Sequence, residues 1–488
     1  MTTFKTSKST YIYTLLAFIT FIGYQLVRGV IIDDEPWLFT AALNISNGLI
    51  QHRDFSVVVP PLFYTVYAIP LIFCESILVF RITTAIVEAL IVFFTLKIFE
   101  QFKINPIDRM LFTFVTIYII QSAGMVEYNV FSEMLLIIGL YICFNSFLNK
   151  QDFWIATIIC ALILTKHTTG TFLGFSLFIA YLIVNKPKKD RIIKVITICF
   201  IYAGIFIAYL LATGSFVPFL EQCVFSISSF THRSSLTALI NSNKTKTYIM
   251  IAATMFALFG NLMAGLFQKN DTAKALFVVN LFNIIVIYPI CNMYHAYLVM
   301  FMDIISIGYL LHILELNTME LKISNLKFYY IFFALMVAFV GMYQFDNIKS
   351  SYYGTVEIDS GSKYYQGARV DAYYRNRYKD IIDYINEHEE NRYYIIENCG
   401  TYISLNCNII ERGYMVQFLN GNIGRENPTD VVIGLSQEEN AYVGIYNNDD
   451  DVFWQTDRNT RQYIKDNFTF IETIGCIDIY RNDAYPYN

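Results

Sequence analysis

The residues of this chain that could do chemistry are charged side chains at the ends of apolar runs. Three carboxylates, Asp33, Asp34 and Glu35, stand together where the apolar run 11–32 ends. Asp54, Arg81, Glu127, Glu133, Lys166, His167, His232, Arg233 and His295 follow, most of them beside the end of another such run. A carboxylate there can take a proton from an attacking hydroxyl. Lysine and arginine can neutralise a departing phosphate, and the arginine fork does so with two parallel bonds. Ionisable groups at membrane depth are costly and mark functional sites. The chemistry these residue types imply is group transfer from a lipid phosphate, whose apolar tail and charged head would lie at this depth.

Each residue also has a plainer role open to it. Asp34 can cap a helix. Arg81 can anchor a span end among lipid headgroups, and Lys166 can snorkel to the same level. Glu127 and Glu133 can flank a turn and cap the span that follows. His295 can be an ordinary turn residue. Three acids in a row exceed what one cap requires. A lysine closing an apolar span on the outer side runs against the rule that positive residues stay inside.

The stretch 33–61, DDEPWLFTAALNISNGLIQHRDFSVVVPP, positions the first of these groups. It predicts an amphipathic helix with Asp34 at the N-cap and Pro36 in the first turn. Trp37, Leu38, Ala41, Ala42 and Ile45 repeat on one face, and Gly48 is placed to end it. Such a helix would lie in the membrane interface.

The surrounding chain is that of a polytopic membrane protein. It has 488 residues, 55% hydrophobic and 17% aromatic, with a mean hydropathy of +0.44. The net charge of −5 gives no reason to expect nucleic acid. The nine cysteines show no metal-ligand spacing and no CxxC. Cys399 and Cys407 could pair if exposed outside the cell. Apolar runs at 11–32, 81–99, 110–125, 133–147, 153–168, 171–184, 192–212, 247–267, 275–291, 298–314 and 328–343 predict roughly eleven spans, the first an uncleaved signal anchor. The segment 61–73, interrupted by Pro70, is expected as an interfacial or re-entrant helix. Basic residues fall on one side throughout, most densely in KPKKDR at 186–191. This arrangement predicts a plasma-membrane protein with a cytoplasmic N-terminus, an outer first loop 33–80 and an outer C-terminus.

After residue 345 the composition turns polar. The segment 346–488 predicts a separate extracytoplasmic α/β domain. Its expected elements are helices at 372–389 and 458–467, strands at 393–397, 430–434 and 442–446, and closing strands in 468–480. Residues 1–345 form the expected transmembrane catalytic domain.

In order and spacing, residues 10–345 resemble the GT-C superfamily of polyprenyl-phosphate-sugar-dependent glycosyltransferases. The branch with protein O-mannosyltransferases and the lipid A aminoarabinose transferase is most similar. The motifs are DDEPWLFTAALNISNGL, RDFSVVVPPLFY, Arg81 opening the next span, Leu164-Thr165-Lys166 with Gly170, and Tyr294-His295-Ala296-Tyr297-Leu298. The sequence departs from the family at Pro36-Trp37 and at Ala296. The resemblance implies a GT-C-like helical membrane fold of about eleven spans plus interfacial helices. It implies transfer of a monosaccharide from a polyprenyl-phosphate carrier to a glycan, lipid or protein acceptor, with inversion. Asp34, with Glu35 beside it, matches the catalytic carboxylate. Arg81, Lys166 and His295 match positions at the donor phosphate. Asp33, Asp54, Glu127, Glu133, His167 and Arg233 are further candidates for contact with substrate. The loop 213–246, with His232, Arg233, Lys244 and Lys246, would close over the lipid head. No metal or cofactor is expected, because cationic side chains can neutralise the phosphate. A transporter or flippase of lipid-linked sugars is the alternative, and a membrane-anchored binding protein a third class.

Overall fold

The apolar runs within the described residues fold as helices, and their ends fall close to the charged and small residues that bound them. A computed structural model describes residues 6–123, 127–145, 148, 150–226, 239–240, 244–287, 291–318, 349–410, 427–448 and 456–484. The helical part runs α1 (Lys8–Val27), α2 (Glu35–Ser46), α3 (Leu62–Leu71), α4 (Ile77–Gln101), α5 (Pro106–Ala123), α6 (Tyr128–Phe144), α7 (Gln151–Thr165), α8 (His167–Asn185) and α9 (Lys189–Ala212). It continues with α10 (Phe216–Phe219, extended by a π turn, Leu220–Val224), α11 (Lys244–Phe267), α12 (Asp271–Asn283) and α13 (Met293–Thr318). The later part runs β1 (Thr355–Glu357), β2 (Arg369–Asp371), α14 (Ala372–Glu387), β3 (Arg392–Ile395), α15 (Gly400–Asn406), α16 (Pro428–Leu435), β4 (Ala441–Tyr446), α17 (Arg458–Asn467), β5 (Thr469–Ile474) and β6 (Ile477–Arg481).

Among the described residues, six helices are long and apolar enough to cross a bilayer: α1, α4, α8, α9, α11 and the Met293–Leu314 part of α13. The chain is an integral membrane protein. Helices α6 and α7 are apolar but shorter. Segment 61–73 yields the short helix α3, as its Pro70 and length predict. The expected span 328–343, together with His232 and Arg233, lies outside the described residues.

The chain divides into two compact units. The first comprises Met1–Gln25, Thr84–Phe206 and Arg233–Lys349. It is a helical bundle. At one end, Ser7, just before α1, and Thr10 of α1 donate to Glu100 of α4, each at 2.6 Å, and Arg109 of α5 pairs with the same carboxylate at 3.0 Å. The rings of Phe102 and Phe144 bring the ends of α4 and α6 together there. Asn185, closing α8, donates to Cys143 O of α6 at 2.9 Å. Asp152 of α7 pairs with Arg191 of α9 at 2.6 Å, and Lys186 pairs with Asp271 of α12 at 2.5 Å. The basic residues expected on one side of the membrane therefore do gather at one end of this unit. At the other end, a single extended residue, Lys166, separates α7 from α8. Gly170 makes that tight turn possible: a Cβ there would sit 2.0 Å from Leu162 O.

The second unit comprises Leu26–Thr83, Ile207–His232 and Ser350–Asn488. Its four-stranded sheet has the order β3-β4-β6-β5, with β3 parallel to β4 and the other pairs antiparallel. Strands β1 and β2 form a separate antiparallel ribbon. The chain leaving α1 pairs with that ribbon, where Val30 N donates to Arg369 O at 2.7 Å. Gly29 allows the approach, since a Cβ would meet Thr355 Cγ2 at 3.0 Å.

Two local expectations change here. Residues 430–434 are helical, within α16, rather than a strand. Asn427 caps that helix by accepting from Thr429 N, and Pro428 opens it; these residues outweigh the β-branched DVVIG run. Helix α2 is not an interfacial helix with one wet face. Leu38, Phe39, Thr40, Ala41, Ala42 and Leu43 are all buried, because α3 and α15 pack on it. Cys399 and Cys407 are both free thiols.

Candidate functional site

The acidic stretch separates into three environments. Glu35 is 2% exposed and Arg81 is 0% exposed. Arg81 Nε donates to Glu35 Oε1 at 2.6 Å and Nη2 to Oε2 at 2.8 Å. Its third arm, Nη1, reaches Arg28 O at 2.9 Å. Arg28, also buried, grips the same carboxylate with Nη2 at 2.9 Å and Nη1 at 3.2 Å. Burial works to raise the Glu35 carboxyl, but the charges of Arg28 and Arg81 and the hydrogen bonds from Arg81 and Ile31 N outweigh it and hold it at about 2. Glu35 is therefore held ionised between two buried arginines. Arg81, expected at a phosphate, bonds Glu35 and the Arg28 carbonyl.

Asp33 and Asp34 keep partial exposure. Asp33 Oδ1 accepts from Asn398 Nδ2 at 2.8 Å, and burial raises its carboxyl above the usual range. Asn398 is itself held by Tyr446, whose hydroxyl donates to Asn398 Oδ1 at 2.8 Å, and Tyr446 meets Tyr378 at 2.8 Å. The C-terminal segment thus orients Asp33. Trp37, a departure from the family pattern, packs against the core of that segment beside Val431, Val443 and Ile464. Asp34 holds the N-cap position of α2, but its side chain makes no capping bond. Asp54 closes a local turn: it accepts from Ile50 N at 2.7 Å and pairs with Arg53 at 2.7 Å.

In the first unit, Glu127, Lys166 and His295 come together. Lys166 Nζ donates to Asn129 Oδ1 at 2.9 Å and lies 5.2 Å from the Tyr128 ring centre. Asn129 Nδ2 donates to Glu127 Oε2 at 2.7 Å and approaches His295 Nε2 at 3.4 Å. Tyr294 donates to Glu127. His295 Nδ1 faces Asn292 Oδ1 at 2.8 Å; that oxygen only accepts, which puts the imidazole proton on Nδ1 and leaves Nε2 as acceptor. Burial pushes the Glu127 carboxyl up, against Lys166 and the Tyr294 and Asn129 bonds. His167 opens α8 next to Lys166. Glu133 lies farther along α6 and is fully buried.

Arg28, Asn129, Asn398 and Asp303 were not among the expected site residues. Arg28 had a signal, a positive residue at the C-terminal end of the first span. So did Asp303, an acid inside an apolar run. Asn129 and Asn398 had none.

No protein-family model matches the sequence, and no curated protein does. The fold does have solved counterparts. The chain is similar to ArnT from Cupriavidus metallidurans, crystallised with undecaprenyl phosphate, at a TM-score of 0.56 and 11% identity over 96% of this chain and 97% of that one. It is also similar to the apo oligosaccharyltransferase of Archaeoglobus fulgidus, at a TM-score of 0.50 and 10% identity over 90% of this chain and 69% of that one. These likenesses show the fold: a helical membrane architecture like that of ArnT, with a small C-terminal α/β part.

Proposed function

We propose that this chain is a membrane glycosyltransferase that moves a monosaccharide from a polyprenyl-phosphate carrier to an acceptor hydroxyl of the cell envelope. The observation that carries this reading is the nearly end-to-end fold likeness to ArnT, a protein crystallised with undecaprenyl phosphate. The environments of the acids support it: of the three, Glu35 is spent on two arginines, while Asp34 keeps solvent access next to that anchor.

Asp34 acts as general base. The acceptor oxygen attacks the anomeric carbon as Asp34 takes its proton, and the bond from that carbon to the phosphate oxygen breaks with the electron pair leaving on phosphate. One displacement inverts the anomeric centre. Within the first unit, Lys166 is steadied by Asn129 and Tyr128, with His295 and Glu127 as its neighbours. Arg81 serves as a positioning residue: it fixes Glu35, and so the start of α2 and Asp34.

The test has two arms. Purified full-length protein is assayed for retention of undecaprenyl phosphate, and envelope glycans are compared by mass spectrometry in cells with and without the protein. The reading expects saturable retention and the loss of one sugar from one glycan. Unchanged glycans with no retention defeat it. A sugar that accumulates lipid-linked on the inner face points instead to a flippase.

A further inference from the structure

Helices α6, α11, α12 and α13 carry polar side chains midway along apolar segments of the first unit. Asp303 stands at the middle of the Met293–Leu314 span and is fully buried. Its Oδ2 accepts from Thr254 Oγ1 of α11 at 2.5 Å, while its Oδ1 has no hydrogen-bond partner among the described residues. Glu133 of α6 is fully buried too and lies within electrostatic reach of Asp303. Neither of its carboxyl oxygens has a hydrogen-bond partner among the described residues.

Val299, Asp303 and Ser306 share one face of α13 at helical spacing. Helix α12 meets that face: Asn280 Nδ2 donates to Ser306 Oγ at 2.7 Å, and Asn283 Nδ2 donates to Val299 O at 3.5 Å. Asn261 of α11 spends its amide on Ala257 O at 2.8 Å. The amide oxygens of all three asparagines are buried and have no partner among the described residues. Their donors are used and their acceptors are left over. Directly after Asn283, the α-helix gives way to a 3-10 turn, Ile284–Ile287. Helix breaks at membrane depth are where backbone carbonyls join ion sites.

A buried oxygen acceptor without a donor is expensive, and a carboxylate more so. Carboxyl, amide and carbonyl oxygens are the ligands that hard cations take. We propose that this polar core binds a hard metal cation between α6, α11, α12 and α13, with Asp303 and Glu133 supplying the charge and the Asn280 and Asn283 amide oxygens the neutral ligands. The cation ties the four helices together, so it stabilises the folded bundle whatever the protein catalyses.

The test uses the full-length protein in detergent after chelation. Thermal unfolding is followed in sodium, potassium, magnesium or calcium chloride, against choline chloride at matched ionic strength. One metal should raise Tm progressively with the logarithm of its concentration, the signature of a ligand that only the folded state binds. Calorimetric titration of the parent protein with that metal should give saturable heat. Asp303→Asn and Glu133→Gln should lose the Tm response, and Asn283→Ala, which keeps both carboxyls, should weaken it. A Tm that follows ionic strength alone with no saturable heat overturns the proposal. So does a metal response that survives undiminished in Asp303→Asn and Glu133→Gln.

Discussion

Glu35 and Asp34 are neighbours with opposite fates, and single substitutions separate them. Asp34→Asn keeps the size of the residue but removes its basicity. Transfer from purified polyprenyl-phosphate sugar should fall by roughly 10²-fold or more, the usual scale for acid–base catalysis, with Tm nearly unchanged. Turnover near the parent value would remove Asp34 from the mechanism. Glu35 responds to pH instead. Its carboxyl is held at about 2 in the folded chain against an ordinary value of 4.5. The stability it contributes is fully present above the unfolded value and is lost as pH falls through the folded one. That contribution is roughly 3 kcal/mol, drained between about pH 5 and pH 2. Unfolding midpoints measured across that window should drop more steeply in the parent than in Glu35→Gln, which starts lower and stays flatter. Arg81→Ala breaks the same buried pair from the other side and should cost about 3–5 kcal/mol, because Glu35 loses one of its two cationic partners. Arg81→Lys should recover little of it, since one ammonium cannot replace the fork. If Arg81→Ala keeps the parent Tm and loses only donor binding, the phosphate role expected from the sequence returns.

Among the elements, the α7–α8 hairpin has little tolerance. One extended residue joins the two helices, and Gly170 passes against the Leu162 carbonyl. Gly170→Ala must part backbone from backbone, a strain of about 1–3 kcal/mol. The same shift moves Lys166, which Asn129 and Tyr128 hold at that turn. A lower Tm together with a raised KM for the lipid donor is expected, and an unchanged value of both would show that the turn has slack. This hairpin was legible beforehand, because two apolar runs separated by TKHTTG leave room for little else. The six described helices long enough to cross a bilayer were legible for the same reason: a long apolar run has few alternatives to a helix in lipid. Helix α16 was misread because its β-branched run outweighed the Asn427-Pro428 start in a reading by composition. The burial of α2 was hidden because α15 lies far along the chain. So was the Arg81–Glu35 pair, whose members stand 46 residues apart and resemble a headgroup anchor and a catalytic acid when each is read alone.

At the scale of the molecule, the later segment and the first loop fold as parts of one unit, and that changes what a truncation means. Residues 346–488 supply Asn398 to Asp33, the Arg369 carbonyl to Val30 and the apolar core that receives Trp37. They also supply Tyr364 O to Ile77 N at 3.0 Å, just ahead of Arg81 on α4. A chain ending at residue 345 keeps all six of the described helices that are long and apolar enough to cross a bilayer. It should therefore still insert in the membrane. It should nevertheless lose transfer and retain less undecaprenyl phosphate, because α2 and the acidic stretch lose packing and hydrogen bonds together. Asn398→Ala isolates one strand of that dependence. It removes the Asp33 contact but leaves the apolar core, so Tm should change little while turnover falls by about 10-fold, the effect of a misplaced catalytic neighbour. The pair of variants distinguishes an accessory domain from an integral one. If the truncated chain transfers sugar at the parent rate, the C-terminal segment is an appendage. If Asn398→Ala matches the parent while the truncation is dead, the segment acts through packing of α2 alone, and Asp33 has no part in aligning Asp34.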